Sequence, residues 1–154
     1  MRRIGLISDT HDLLRPEALA FLRGCDHIIH GGDICERRIL DALAGVAPLT
    51  VVRGNNDRGT WARDIPETAL LELDGVRIYA IHNLAELPVD PVATGVHVVV
   101  SGHSHRPLAQ QREGVLYINP GSAGPRRFKL PICAAELLLD GGAITPRIVE
   151  LVAR

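Results

Sequence analysis

Short apolar runs alternate with helical patterns over the first third of the chain. Residues 4–8 form an apolar run that stops at Asp9 and reads as a buried strand. Residues 16–24 open with Pro16, carry leucine and alanine within and stop at Gly24, which predicts a helix. Residues 26–30 read as a second strand, 36–45 as a second helix with a glycine stop, and 49–52 as a third strand. A strand–helix–strand–helix–strand opening builds a parallel sheet with helices on its faces. The pattern then changes. Residues 69–73 and 76–81 flank Asp74 and Gly75 and read as a hairpin with a tight turn. Residues 96–100 form another buried strand. Two further hairpins are predicted, one joining 108–112 to 115–118 and the other joining 132–139 to 144–151. Such a chain satisfies both halves as an α/β fold of two stacked sheets with helices outside.

What ends each strand is more informative than the strands themselves. Asp9-Thr10-His11 follows the first, and His30-Gly31-Gly32-Asp33 the second. Arg53-Gly54-Asn55-Asn56-Asp57 follows the third, His82-Asn83 the strand 76–81, and Gly102-His103-Ser104-His105 the strand 96–100. In open α/β sheets the C-terminal strand ends gather at one edge, and ligands bind in the crevice there. Each motif alone has a plain structural explanation: a surface loop for Asp-x-His, a helix cap for Asp33, a turn for Gly-Asn-Asn-Asp. Five of them at five strand ends point instead to one convergent site of carboxylate, amide and imidazole donors. A thiolate-free set of this kind suits Mn²⁺, Zn²⁺, Fe or Ni²⁺. Asp9 and His11 are spaced to reach one ion, and the two oxygens of Asp33 can bridge two ions roughly 3.5–4 Å apart.

Composition narrows the class. At 154 residues and 46% hydrophobic the chain makes one folded domain rather than a disordered one. A net charge of −1 and 3% aromatics leave no basic stripe and no stacking platform for stable nucleic-acid binding. Cys25, Cys35 and Cys133 are odd in number and form no CxxC, so reduced thiols in a cytoplasmic protein are expected. No run of ~18 apolar residues predicts a membrane span.

The motif string Asp-x-His, Gly-Asp, Gly-Asn, an isolated His and Gly-His-x-His resembles the calcineurin-like metallophosphoesterase superfamily. With Asn119-Pro120-Gly121-Ser122 after it, the string is similar to that of the family's small bacterial and archaeal phosphodiesterase branch. The resemblance runs from Asp9 to about Arg127. It implies a four-layer αββα sandwich, residues 1–154 as one domain without a cap, and two divalent ions, manganese first among them. Carried over by position, Asp9, His11 and His105 hold one ion, Asn55, His82 and His103 the other, and Asp33 bridges them. Asp33, Asn55 and His103 are then the residues expected in the catalytic step, a hydroxide shared by the ions attacking phosphorus in line.

Many members place His after the Gly-Asn. This chain has Asn56, which has no proton to give a leaving group, so diesters or activated aryl esters are expected over alkyl monoesters. Asp57 is read either as a partner of the ligands or as a turn cap, and Trp61 either as a cover for the site or as a subunit contact. Asn56, Arg126 and Arg127 are the expected substrate-binding residues. The expected partner is a small phosphodiester or nucleotide-like substrate, with a dimer or tetramer as the assembly. The alternative is a non-catalytic scaffold, since the fold also resembles the small retromer subunit of eukaryotes, which works through protein contacts. Seven competent donors at seven positions favour the enzyme.

Overall fold

A computed structural model describes residues 1–153. The first five elements are β1 (Arg2–Ile7), α1 (Pro16–Leu22), β2 (His27–His30), α2 (Arg37–Ala44) and β3 (Leu49–Val51). They are followed by β4 (Thr68–Leu73), β5 (Val76–Ile81), α3 (Pro91–Thr94), β6 (Val98–Val100), β7 (Leu108–Arg112), β8 (Val115–Asn119), β9 (Ile132–Asp140) and β10 (Ala143–Val152). One sheet has the order β10-β9-β1-β2-β3 and the other β4-β5-β6-β8-β7. Both sheets are mixed, with β1, β2 and β3 parallel in the first and β5, β6 and β8 parallel in the second.

The period-two alternation of each strand divides its residues between layers. Ile4 and Leu6 of β1 face inward against Ile78, Ala80, Val98, Val100 and Ile118 of the other sheet. Ile7 faces outward and packs with Ala18 and Leu22 of α1 and Ile39 and Leu43 of α2. On the second sheet Tyr79, Ile81, Val99 and Val115 point outward and are covered by Leu84, Leu87 and Val89. The result is the four-layer αββα order, with a thin fourth layer made by the segment before β6.

All three hairpins form as the sequence predicts. Asp74 and Gly75, Glu113 and Gly114, and Gly141 and Gly142 each take positive φ at both turn positions, the backbone that matches the right-handed twist of the flanking strands. Three details differ from expectation. The predicted strand 96–100 starts at Val98, because Val96 N–H is taken by Pro91 O in the preceding turn at 2.9 Å. The turn of α3 is too short to show a helical period, although Asp90 caps it by accepting from Val92 N at 3.1 Å. Trp61 is half-buried and packs against the cluster under α1 and α2. Among the described residues no helix is long and apolar enough to cross a membrane.

Candidate metal centre

Each of the seven donors sits on a loop that leaves the C-terminal end of a parallel strand. Asp9 and His11 follow β1, Asp33 follows β2, Asn55 follows β3, His82 follows β5, and His103 and His105 follow β6. Both sheets contribute, and a direct bond stitches them together at this edge: His103 N–H donates to Asp9 Oδ2 at 3.1 Å.

The structure brings all seven together. His11 Nε2 lies 3.8 Å from Asp9 Oδ1, 3.3 Å from His105 Nε2 and 3.6 Å from Asp33 Oδ2. His105 Nε2 lies 3.4 Å from Asp9 Oδ1. On the other side, His82 Nε2 is 3.3 Å from Asp33 Oδ2 and 3.0 Å from Asn55 Oδ1, which is 3.2 Å from His103 Nδ1. Asp33 thus stands between an Asp9–His11–His105 group and an Asn55–His82–His103 group. Asp9 also comes close enough to Asp33 and His82 to join them around one ion.

Nitrogen and oxygen lone pairs crowded in this way suit a cation between them. Asp9 Oδ1 is buried and has no hydrogen-bond partner among the described residues, a costly state for a carboxylate oxygen unless an ion takes it up. His82 is oriented for the same task. Its Nδ1–H donates to Gly31 O at 2.7 Å, which fixes the tautomer and aims the Nε2 lone pair inward. The donor set therefore fits divalent metal. Burial pushes the Asp33 carboxyl up, but His82 and the Asn56 backbone amide outweigh it and hold the pKa at about 2. Asp9, opposed by burial in the same way, is kept well below the usual carboxylate range by His105, His11 and Ser8. Burial and the nearby carboxylates Asp57 and Asp33 push the Cys35 thiol up to about 11, so it stays protonated beside His11 Nδ1, 3.7 Å away.

Backbone strain concentrates here. Asp9, His11, Asp33, His103 and His105 all take positive φ, between 42° and 70°. Non-glycine residues rarely adopt such angles except where surrounding structure imposes them, as at functional sites. Gly54 has a steric role: a Cβ there would collide with the side chain and backbone of Asp33.

A supporting layer imposes these angles. Asp57, 6% exposed, accepts from Asp33 N at 2.9 Å, Gly54 N at 2.8 Å and Cys35 N at 2.8 Å. Ser8 Oγ–H donates to Asp9 Oδ2 at 2.6 Å, and Ser122 Oγ–H to Asp9 O at 3.0 Å. Asn119 Nδ2 donates to Gly102 O at 2.9 Å and to Ser104 Oγ at 3.1 Å. The Asn-Pro-Gly-Ser segment thus clamps the Gly-His-Ser-His loop and the Asp9 loop to one another. Sequence reasoning reached Asp57 only as one of two options and assigned no role to Asn119 or Ser8. The expected substrate residues are placed differently. Asn56 N–H and Nδ2 both donate to the Asp33 carboxylate, each at 2.9 Å, so its amide supports a candidate ligand. Arg126 and Arg127 are exposed on the following loop. Among the described residues no contact joins either to the seven donors, and the Arg126 guanidinium donates to Leu130 O at 3.2 Å.

His30 is fully buried behind this layer, its Nδ1 accepting from Gly32 N at 3.0 Å and its Nε2 3.1 Å from Thr10 Oγ1. Thr10 in turn donates to Ile34 O at 3.2 Å, so His30 is the neutral Nε2–H tautomer. Burial pulls its pKa from 6.5 down to about 4, against the attraction of Asp9. Between these two values the unfolded chain takes up a proton that the folded one refuses. Stability therefore falls as pH drops from 6.5 toward 4, by up to ~3 kcal/mol from this group. Chemical denaturation of metal-free protein between pH 7 and 5.5, above the range where the carboxylates titrate, should show a steeper slope in the wild type than in His30→Gln. Equal slopes would exclude His30 as its source.

The profile of the calcineurin-like phosphoesterase superfamily domain matches residues 1–141. The chain belongs to this superfamily. A probable metallophosphoesterase of Methanothermobacter thermautotrophicus is 33% identical over 96% of this chain and 91% of its own length. A phosphodiesterase of Methanocaldococcus jannaschii is 27% identical over 77% of this chain and 82% of its own. Vacuolar protein sorting protein 29 of Cryptosporidium parvum superposes with a TM-score of 0.78 at 18% identity, covering 96% of each chain, a likeness of fold alone. Calcineurin-like phosphoesterases are metal-dependent hydrolases of phosphoesters, and the residues described above are this member's candidate metal donors.

Proposed function

We propose that the protein hydrolyses small phosphodiesters or nucleotide-like esters with two divalent ions, manganese first among them, acting as one domain without a cap. The observation that carries this is the convergence of seven nitrogen and oxygen donors on the two sides of Asp33, beside a buried Asp9 Oδ1 that has no hydrogen-bond partner among the described residues. Asp9, His11 and His105 would hold one ion and Asn55, His82 and His103 the other, with Asp33 shared between them. When bound, the ions supply a nucleophile at neutral pH and neutralise charge on the phosphoryl oxygens. The protein's own part is position. His82 is locked by Gly31, Asp33 is gripped by Asn56, and the strained loops are tied by Asp57 and Ser122. Asn56 has no acidic proton for a leaving group, which favours diesters with good leaving groups. The relative named a phosphodiesterase supports the same substrate class.

Metal-stripped protein should be inactive on bis(p-nitrophenyl) phosphate. Activity should return on adding Mn²⁺ and saturate at about two ions per chain. A folded protein with no turnover in Mn²⁺, Zn²⁺, Ni²⁺ or Fe²⁺ would overturn the catalytic reading. The protein-contact reading would then stand on the likeness in fold to the vacuolar sorting protein.

A further inference from the structure

Two clefts of about 500 Å³ each open beside the centre, and His103 and Asn83 form the ridge between them. They differ in chemistry. One is lined by Arg53, Glu67, Thr68 and Glu86, with Asn55 and His82 at its inner end, and Arg53 is already paired to Glu67 at 2.9 Å. This cleft therefore keeps a net negative character. The other has apolar walls from Leu84, Pro107, Leu108, Tyr117 and Leu130, with polar Ser101, Ser104 and Asn119 among them. Its described lining contains no acidic residue and includes the exposed Arg106.

We infer that the acid-free cleft is the subsite for a nucleoside arm, the substituent that stays on phosphorus when a phosphodiester is cleaved. This deepens the phosphodiesterase reading and rests on it. Apolar walls interrupted by hydroxyl and amide groups suit a flat ring whose faces are apolar and whose edge forms hydrogen bonds. Wall chemistry makes the choice between the two clefts. Charged and polar Arg53, Glu67, Thr68 and Glu86 line one, while the other offers apolar walls to a base and the exposed Arg106, whose planar guanidinium can stack on it. Continuity with the centre supplies reach, since His103 lines the cleft and also touches Asn55.

The test compares two esters with the same leaving group, thymidine 5′-(p-nitrophenyl phosphate) and ethyl p-nitrophenyl phosphate, in Mn²⁺. The inference expects kcat/KM for the thymidyl ester to exceed that for the ethyl ester by at least about tenfold, the contribution of one stacked base. Leu108, 45% exposed at the cleft wall, tolerates a polar replacement without loss of the core. Leu108→Glu should lower the thymidyl-to-ethyl ratio at least about fivefold, and Arg106→Ala should lower it in the same direction. Product inhibition by thymidine 5′-phosphate should weaken in parallel in both variants. A ratio near one in the wild type, or a ratio that neither variant moves, overturns the subsite while leaving the phosphodiesterase intact. No turnover of either ester overturns the phosphodiesterase reading and the subsite with it.

Discussion

Asp33→Asn should lower turnover of bis(p-nitrophenyl) phosphate at least ~10³-fold, equivalent to ~4 kcal/mol of transition-state stabilisation. Among the described residues, Asp33 is the candidate donor whose carboxylate lies within 4 Å of imidazole nitrogens from both groups, 3.6 Å from His11 and 3.3 Å from His82. An ionised carboxylate there offers two anionic oxygens and can serve two cations. Asparagine offers one neutral carbonyl, and its amide hydrogens would point at a cation or at Asn56 Nδ2, which already donates to this side chain. The variant should therefore fold, bind about one ion per chain in place of two, and lose nearly all activity. Calorimetric titration of stripped protein with Mn²⁺ beside the rate measurement separates these effects. Activity within tenfold of wild type would show that Asp33 does not join the two sites.

The candidate donors were legible in the sequence because the fold has a simple rule at this edge. A parallel strand ends, a glycine or a short turn follows, and the polar residue just beyond is delivered to the crevice. Asp9, Asp33, Asn55, His82 and His103 can all be read in that way before any coordinate is known. The tight turns at Asp74-Gly75 and Glu113-Gly114 were legible for a related reason, since local backbone preference decides them. The supporting layer was not legible. Asn119 and Ser122 bond to backbone atoms about 17 and 113 residues away in the chain, and no local pattern announces such a partner. The positive φ of His11, His103 and His105 goes against the preference of those residues and exists only because surrounding loops hold it. The layer over the second sheet escaped for a different reason: α3 spans four residues, fewer than any periodicity needs.

Asp57 shows how much rests on that supporting layer. Asp57→Ala should destabilise the metal-free protein by ~3–5 kcal/mol, because three backbone N–H groups lose a carboxylate partner in a buried setting. Two of these donors, Asp33 N and Cys35 N, belong to residues with φ of 57° and 74°, and the third, Gly54 N, belongs to the loop that carries Asn55. The same carboxylate therefore fixes the strained turn after β2 and ties it to the turn after β3. Its removal frees both turns to relax toward ordinary backbone angles, which would pull Asp33 away from His11 and His82. Thermal unfolding should drop by about 10 °C for a domain of this length, against a total stability of only ~5–15 kcal/mol. The Mn²⁺ affinity of the folded fraction should fall roughly 10–100-fold, the usual effect of losing a group that orients a ligand. Asp57→Asn keeps one acceptor oxygen and should fall between wild type and alanine in both measurements. If Asp57→Ala melts within about 2 °C of wild type and titrates Mn²⁺ unchanged, the two turns are held by something other than this carboxylate.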